Sequence, residues 1–279
     1  MINISIIGLG LIGGSIAKDL ITQLNINVIG VDANASHCEL AQKLNLVNEV
    51  QPLSSAIAQS DIIILAIPVD AIEDLLPSVL DQINDNQTVI DVGSTKTAIC
   101  SKVNEHKNRQ RFVAAHPLAG TEYSGPTAAI TGLFRDKKCI ICDREQSSTD
   151  AVEMTAKLFN SIGMEIYYQS SVSHDKHLAY VSHLSHITSF TLSLTVQDIM
   201  KDESQILNLA STGFASTVRL AKSSPQTWQP IFSKNKAHLS LAIDEYIKHL
   251  EGFKQAIETD NESMSEELMV QANKIKTLL

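Results

Sequence analysis

Two hydrophobic rhythms alternate along the first half of the chain. Short, continuous apolar runs rich in β-branched residues, "NISIIGL", "NVIGVD", "DIIILAIP", "TVIDVGS" and "RFVAAHP", are each bounded by Gly, Pro, Asp or Ser. Between them lie "LIGGSIAKDLITQL", "SHCELAQKLNL", "VDAIEDLLPSVLDQIN" and "KTAICSKVNEHK", with helix length and amphipathic spacing. A strand that is apolar at every position has to be covered on both faces. The pattern therefore predicts an α/β domain: a doubly wound, mostly parallel sheet with helices on each side.

From about Ser171 the rhythm is helical throughout, in "HDKHLAYVSHLSHITSFTLSLTVQDIM", "ESQILNLASTGF", "NKAHLSLAIDEYIKHLEGFKQAIETD" and "ESMSEELMVQANKIKTL". The division predicted is an α/β domain over residues 1–170 and an all-α domain over residues 171–279. The second set of helices has broader apolar faces than one small bundle buries, which predicts a homodimer formed through them.

Composition narrows the function. The 279 residues are 44% hydrophobic and 19% charged, enough for two packed cores. A net charge of −9 provides no basic face for a run of phosphates, so nucleic acid is not expected as a partner, although a local cation cluster can still bind a small anion. No segment approaches the ~20 apolar residues of a membrane span, and the N-terminal stretch lacks a basic leader. A cytoplasmic protein with no membrane partner is expected. Cys38, Cys100, Cys139 and Cys142 are too scattered for a disulfide framework. "KKCIICD" resembles a further strand with buried free thiols, because no second ligand pair follows at zinc-site spacing.

The first strand ends in "IIGLGLIGGS", which places Gly8, Gly10 and Gly13 in a G-x-G-x-x-G arrangement at a strand-to-helix turn, with Leu11 and Ile12 opening the helix. Gly8 permits the turn, Gly10 lets a pyrophosphate approach the main chain, and Gly13 lets helix and strand close up. Asp32 ends the second strand about twenty residues on, where a carboxylate accepts from ribose hydroxyls and repels a 2′-phosphate. The cofactor expected is therefore NAD rather than NADP. Ile67 and Pro68 end "DIIILAIP" on the same edge of the sheet and are expected to cover part of it.

Two further strand ends converge there. "DVGSTK" brings Ser94 and Lys96; "AAHPLAGTE" brings His116 and Glu122. A histidine at a strand's carboxyl end beside a cofactor suits proton transfer, since its pKa lies near the working pH.

In this order, "GLGLIGGS", "DVGSTKTAI", "HPLAGTEYSG", "HDKHLAYVSHLSH" and "GFASTVRLAKSSPQTW" resemble the prephenate and arogenate dehydrogenases of tyrosine biosynthesis. The resemblance implies a Rossmann-like domain followed by a helical dimerisation domain. It also implies a small anionic cyclohexadienol as substrate, oxidised and decarboxylated as its ring becomes aromatic. By the same resemblance His116 is the catalytic histidine, Ser94 orients the substrate hydroxyl, Lys96 in the same loop is expected to bind the substrate, and Arg219 binds a substrate carboxylate. Ser182, His183 and His186 become polar donors towards the substrate and Glu122 stands at the mouth of the site. His174 and His177 are structural or exposed. The four histidines of this helix could suggest a metal, but no carboxylate or cysteine accompanies them at ligand spacing, so none is expected.

Two positions depart from the family pattern: Ser185 replaces a frequent proline, and Ser216 a frequent aspartate three residues before Arg219. No regulatory module is expected beyond the helical domain. Prephenate is favoured over arogenate because no acid is obviously placed to pair with an amino group. Two readings compete: a β-hydroxyacid-type dehydrogenase relying on Lys176, Lys222 or Lys234, and a non-catalytic NAD-binding sensor.

Overall fold

The computed structural model describes residues 2–203 and 205–277. One eight-stranded sheet forms the frame: β1 (Asn3–Ile7), β2 (Asn27–Val31), β3 (Glu49–Val50), β4 (Ile62–Leu65), β5 (Thr88–Asp91), β6 (Phe112–Pro117), β7 (Lys137–Cys142) and β8 (Met164–Gln169). Their order is β3-β2-β1-β4-β5-β6-β7-β8, and every pairing is parallel except that of β6 with β7. The helices of this part are α1 (Leu11–Leu24), α2 (Ala35–Lys43), α3 (Leu53–Gln59), α4 (Val69–Gln82), α5 (Thr97–Lys102) and α6 (Thr149–Ser161).

Continuous apolar strands have the cause anticipated for them. Ile62 and Ile64 join one core with Ile16, Leu20 and Phe134, whereas Ile63 and Leu65 join a second core with Ile72, Leu76 and Val79 on the opposite face. Val113 and Ala115 of β6 likewise face the first core and Phe112 and Ala114 the second. This is a Rossmann-like sheet, covered on both faces. The thiols of Cys139 and Cys142 are packed inside it.

After Gln169 the described residues form only helices: α7 (Ser171–Leu178), a π-helical turn (Ala179–His183), α8 (Leu184–Ile199), α9 (Thr212–Thr217), α10 (Pro225–Lys234), α11 (Lys236–Glu258) and α12 (Glu262–Asn273), with short 3₁₀ turns between some of them. None of the described helices is long and apolar enough to cross a membrane. Leu178 of α7 and Ile231 of α10 are buried in the second core of the sheet, with Trp228 and Phe232 against them. The helical part is thus seated on the sheet, and its histidines reach the ends of the strands.

Two local expectations fail. The stretch from Glu203 to Phe214 is not one helix. Ile206–Leu209 is a 3₁₀ turn, and extended backbone at Ala210 and Ser211 separates it from α9. Ser204, inside that stretch, lies outside the described residues. The helix expected from Lys96 to Lys107 stops at Lys102. The outer strands β3 and β8 lack a strong apolar run, being half-exposed edge pieces.

Gly8 has φ +100°, and a Cβ there would lie 2.3 Å from the Ala66 carbonyl oxygen. A Cβ on Gly13 would stand 1.9 Å from the Gly8 carbonyl oxygen, a main-chain atom that cannot swing away. Gly13→Ala should therefore destabilise the protein by about 3 kcal/mol, more than the ~1 kcal/mol that Ala gains over Gly inside a helix. Urea unfolding measures this; an unchanged midpoint would contradict the close approach of α1 to the sheet.

Candidate active site

The strand order turns between β1 and β4, which places a crevice at the carboxyl edge of the sheet. The turn from β1 into α1 is held by Gly8 N–H donating to the Val31 carbonyl at 2.8 Å and Leu9 N–H donating to Asp32 Oδ2 at 2.9 Å. Asp32 Oδ1 accepts from Asn34 N–H at 2.9 Å, so its carboxylate is fixed yet retains lone pairs. Gly10 caps α1 without a side-chain bond, the first turn of α1 holds no acid, and a Cβ on Gly10 would meet nothing within 4 Å. That open ledge before an uncapped helix, with an acid at the next strand end, fits a dinucleotide's pyrophosphate and ribose. Leu11, Ile12 and Ile67 are half-buried around it; Pro68 is exposed where it starts α4.

His116, near the end of β6, is the one half-exposed residue of an otherwise buried strand. Its Nδ1 is 2.8 Å from His174 Nε2, and His174 Nδ1 is 2.8 Å from Asp175 Oδ1. Asp175 also accepts from the backbone N–H groups of Lys96 and Thr97, each at 2.8 Å. Burial pushes its carboxyl up, but the bonds from His174 and Thr97 hold it below the usual range. Burial lowers the pKa of both His116 and His174, so the two rings are neutral at pH 7. Their tautomers then follow. Ionised Asp175 takes the Nδ1 proton of His174, His174 Nε2 accepts the Nδ1 proton of His116, and His116 Nε2 is left as a bare lone pair.

This corrects the reading of His174 as merely structural or exposed: it is fully buried and in direct contact with His116. An adjacent His-Asp pair was visible in the sequence, but nothing there pointed to a partner 58 residues away.

Lys96 is also corrected. It was expected beside a substrate; instead it is completely buried, with its ammonium against the carboxylate of Asp91 and 2.8 Å from the Ala115 carbonyl. With its ammonium closed off from solvent and held by a buried acid and a carbonyl, Lys96 does not face a solvent-side ligand, and its effect is to brace β6 just before His116. Ser94, two residues earlier in the same loop, is half-buried.

On the helical side, His183 is buried and its Nδ1 is 3.1 Å from Asn235 Nδ2, a residue that sequence reasoning missed altogether. His186 stacks on Trp228 with ring centroids 3.4 Å apart, and its Nδ1 lies 3.1 Å from the Ser182 carbonyl. Because a carbonyl only accepts, His186 carries its proton on Nδ1. Burial lowers its pKa, so the remaining nitrogen accepts. His186 is thus not the donor towards a substrate that was expected. Ser182 serves it through the main chain.

Arg219 Nη1 is 3.2 Å from Glu122 Oε2, the arginine 53% and the glutamate 17% exposed. Such a half-open pair is worth about 1 kcal/mol or less and gives way readily to a better carboxylate. Ser216 does not replace the frequent aspartate: its hydroxyl donates to the Gly213 carbonyl at 2.9 Å. Ser185 is exposed on α8. Glu122, Tyr123, Lys222, Ser224 and Gln226 help line a cleft of about 700 Å³ between the two parts of the chain.

This arrangement offers a nucleotide ledge, a half-buried base at a strand end and a guanidinium paired with the glutamate that lines the cleft. Comparison with known proteins agrees with it. The family model described as "Prephenate dehydrogenase, nucleotide-binding domain" matches residues 16–168, and "Prephenate dehydrogenase, dimerization domain" matches residues 170–271. The chain belongs to the prephenate dehydrogenase family. A cyclohexadienyl dehydrogenase of Zymomonas mobilis is 30% identical over 91% of this chain and 88% of its own length. A prephenate dehydrogenase from A. aeolicus, crystallised with hydroxyphenyl propionate and NAD+, superposes with a TM-score of 0.90 at 28% identity, covering 100% of this chain and 98% of that one. An arogenate dehydrogenase from Synechocystis gives a TM-score of 0.79 at 28% identity, covering 99% of both chains. The chain is accordingly a dehydrogenase of this family with a nucleotide-binding domain.

Four imidazoles in one such site, His174, His183 and His186 buried and His116 half-buried, fix a direction of pH dependence. Burial lowers all four, His183 to about 4. As pH falls below the ordinary value of 6.5, the unfolded chain takes up protons that the native chain refuses, so native stability drops. His183 alone should account for about 2 kcal/mol between pH 7 and pH 5. Equal urea-unfolding free energies at the two pH values would contradict the burial of this cluster.

Proposed function

We propose that the chain is an NAD-dependent prephenate dehydrogenase, converting prephenate to 4-hydroxyphenylpyruvate, carbon dioxide and NADH. The observation that carries this reading is the Asp175–His174–His116 chain, which leaves an unprotonated His116 Nε2 at the same carboxyl edge of the sheet as the nucleotide ledge.

Each residue then has a task. NAD bound along the ledge accepts the hydride released from the carbinol carbon of the ring. His116 Nε2 takes the proton of the ring hydroxyl, and Ser94 orients that hydroxyl from the neighbouring loop. The positive charge that His116 gains is passed towards Asp175 through His174, so the carboxylate stabilises it. Arg219 releases Glu122 and offers its two parallel donors to a substrate carboxylate. Asp32, placed for ribose hydroxyls, favours NAD over NADP. Loss of the ring carboxylate as carbon dioxide is driven by aromatisation, so positioning is most of what the protein has to supply.

A homodimer through the helical domain belongs to the same reading. Leu194, Leu241, Ile247, Leu250, Ile257 and Val270 are exposed on α8, α11 and α12, more apolar surface than a free helical face usually shows.

One observation favours a second reading, arogenate in place of prephenate. Glu122 is an acid inside the cleft, and once Arg219 turns to a substrate carboxylate it is left free to accept from an ammonium group.

NADH formation by the purified protein with NAD and either prephenate or arogenate tests both. Faster turnover of prephenate is expected; preference for arogenate would move the assignment to the second reading, and silence with both in a protein that binds NAD would overturn the dehydrogenase. His116→Asn should lower kcat by roughly 10²–10⁴-fold and leave NAD affinity unchanged.

A further inference from the structure

Asn235 sits at the junction of α10 and α11, 3% exposed. Its Nδ2 is 2.7 Å from the main-chain carbonyl oxygen of Asp175 and 3.1 Å from Nδ1 of His183. A carbonyl oxygen only accepts, so the atom facing it has to be the NH₂ end of the amide, and the orientation of Asn235 is settled by chemistry. An NH₂ group only donates. Its second hydrogen therefore goes to His183 Nδ1, which receives it with a lone pair and carries no proton. A neutral imidazole has its single proton on the other nitrogen, so His183 presents an Nε2–H donor. That nitrogen is closed off from solvent and has no partner among the described residues. A buried donor without an acceptor is costly, and the cost is relieved when a ligand supplies an oxygen.

We propose that Asn235 is a positioning residue that locks His183 as an Nε2–H donor to an oxygen of the bound cyclohexadienol. The inference rests on the dehydrogenase reading and adds a residue that the family resemblance did not bring forward.

Three observations support it. His183 lies in the π-helical turn between α7 and α8, a local widening of the helix of the kind that recurs at functional sites. The ring meets Trp228 edge-on, with centroids 6.0 Å apart. Burial keeps His183 neutral down to about pH 4, so its donor persists through the working range. Asp175 anchors both halves of the device. Its side chain orients His174 and so makes His116 an acceptor, while its main chain orients Asn235 and so makes His183 a donor. An alcohol that loses its proton to one imidazole while an oxygen of the same molecule is held by the other is thereby fixed at two points.

The full-length protein labelled with ¹⁵N-histidine tests the tautomer directly. In long-range ¹H–¹⁵N spectra at pH 7, with His183 assigned by its loss in His183→Phe, Nδ1 should appear as an unprotonated, pyridine-type nitrogen and Nε2 as a protonated one. A proton on Nδ1 overturns the role of Asn235. In Asn235→Asp a carboxylate replaces the donor, the proton moves to Nδ1, and KM for the cyclohexadienol should rise roughly 10- to 100-fold while NAD affinity is unchanged. His183→Phe, which keeps a ring without the donor, should raise KM similarly and provides the kinetic test if Asn235→Asp fails to fold. An unchanged KM in a variant that has lost the Nε2–H donor overturns the proposal. Wild-type protein silent towards both prephenate and arogenate overturns the dehydrogenase reading and the substrate contact with it, whatever the tautomer; active protein with His183 protonated on Nδ1 overturns the role of Asn235 alone.

Discussion

The carboxylate of Asp175 is the interaction on which the site depends. It lies on α7, in the helical part, and accepts from the N–H groups of Lys96 and Thr97 at the end of a sheet loop and from His174. A buried carboxylate without such bonds would be costly enough to become protonated or to unfold its surroundings. With three donors it remains ionised and joins the two parts of the chain at a fixed distance. Because it is charged, it dictates the proton positions of two successive imidazoles. A neutral residue at this point would leave the tautomer of His116 open.

The sheet supplies the other constraint. Strands covered on both faces have no free surface except at their ends, so polar chemistry collects at the carboxyl edge, where β1 and β4 part. The buried Lys96–Asp91 pair works at the same edge. Burial pushes the Asp91 carboxyl up even with the ammonium beside it, and the pair holds the loop after β5 against the main chain of β6. Such a pair contributes more to specifying geometry than to net stability. Here the geometry specified is the residue preceding His116.

The fold was legible because its signals are local. Continuous apolar runs such as "DIIILAIP" report burial on two faces, and the glycine turn with Asp32 reports a ledge for phosphates. The half-exposed strands β3 and β8 gave no such run, and the break near Ser211 was hidden by apolar Ile206, Leu207 and Leu209 that look helical in spacing. In the site, His116 and Arg219 were singled out through family motifs. Lys96 was misjudged because a sequence cannot show that a lysine's ammonium is matched by a buried acid five residues before it. His174 and Asn235 were missed for a related reason: their meaning lies in contacts across 58 and 52 residues with His116 and His183. The protonation of each histidine is likewise a property of its neighbour, not of its place in a motif.

The measurement that tests this account most directly is the turnover of His174→Phe, with NAD affinity measured beside it. The substitution keeps the ring volume and leaves Asp175 its two backbone donors, but removes the acceptor for the Nδ1 proton of His116. The account predicts a fall in kcat on the order of 10²-fold with unaltered NAD binding. Turnover close to that of the wild-type protein would show that His116 needs no fixed tautomer, and would contradict the central role given to Asp175.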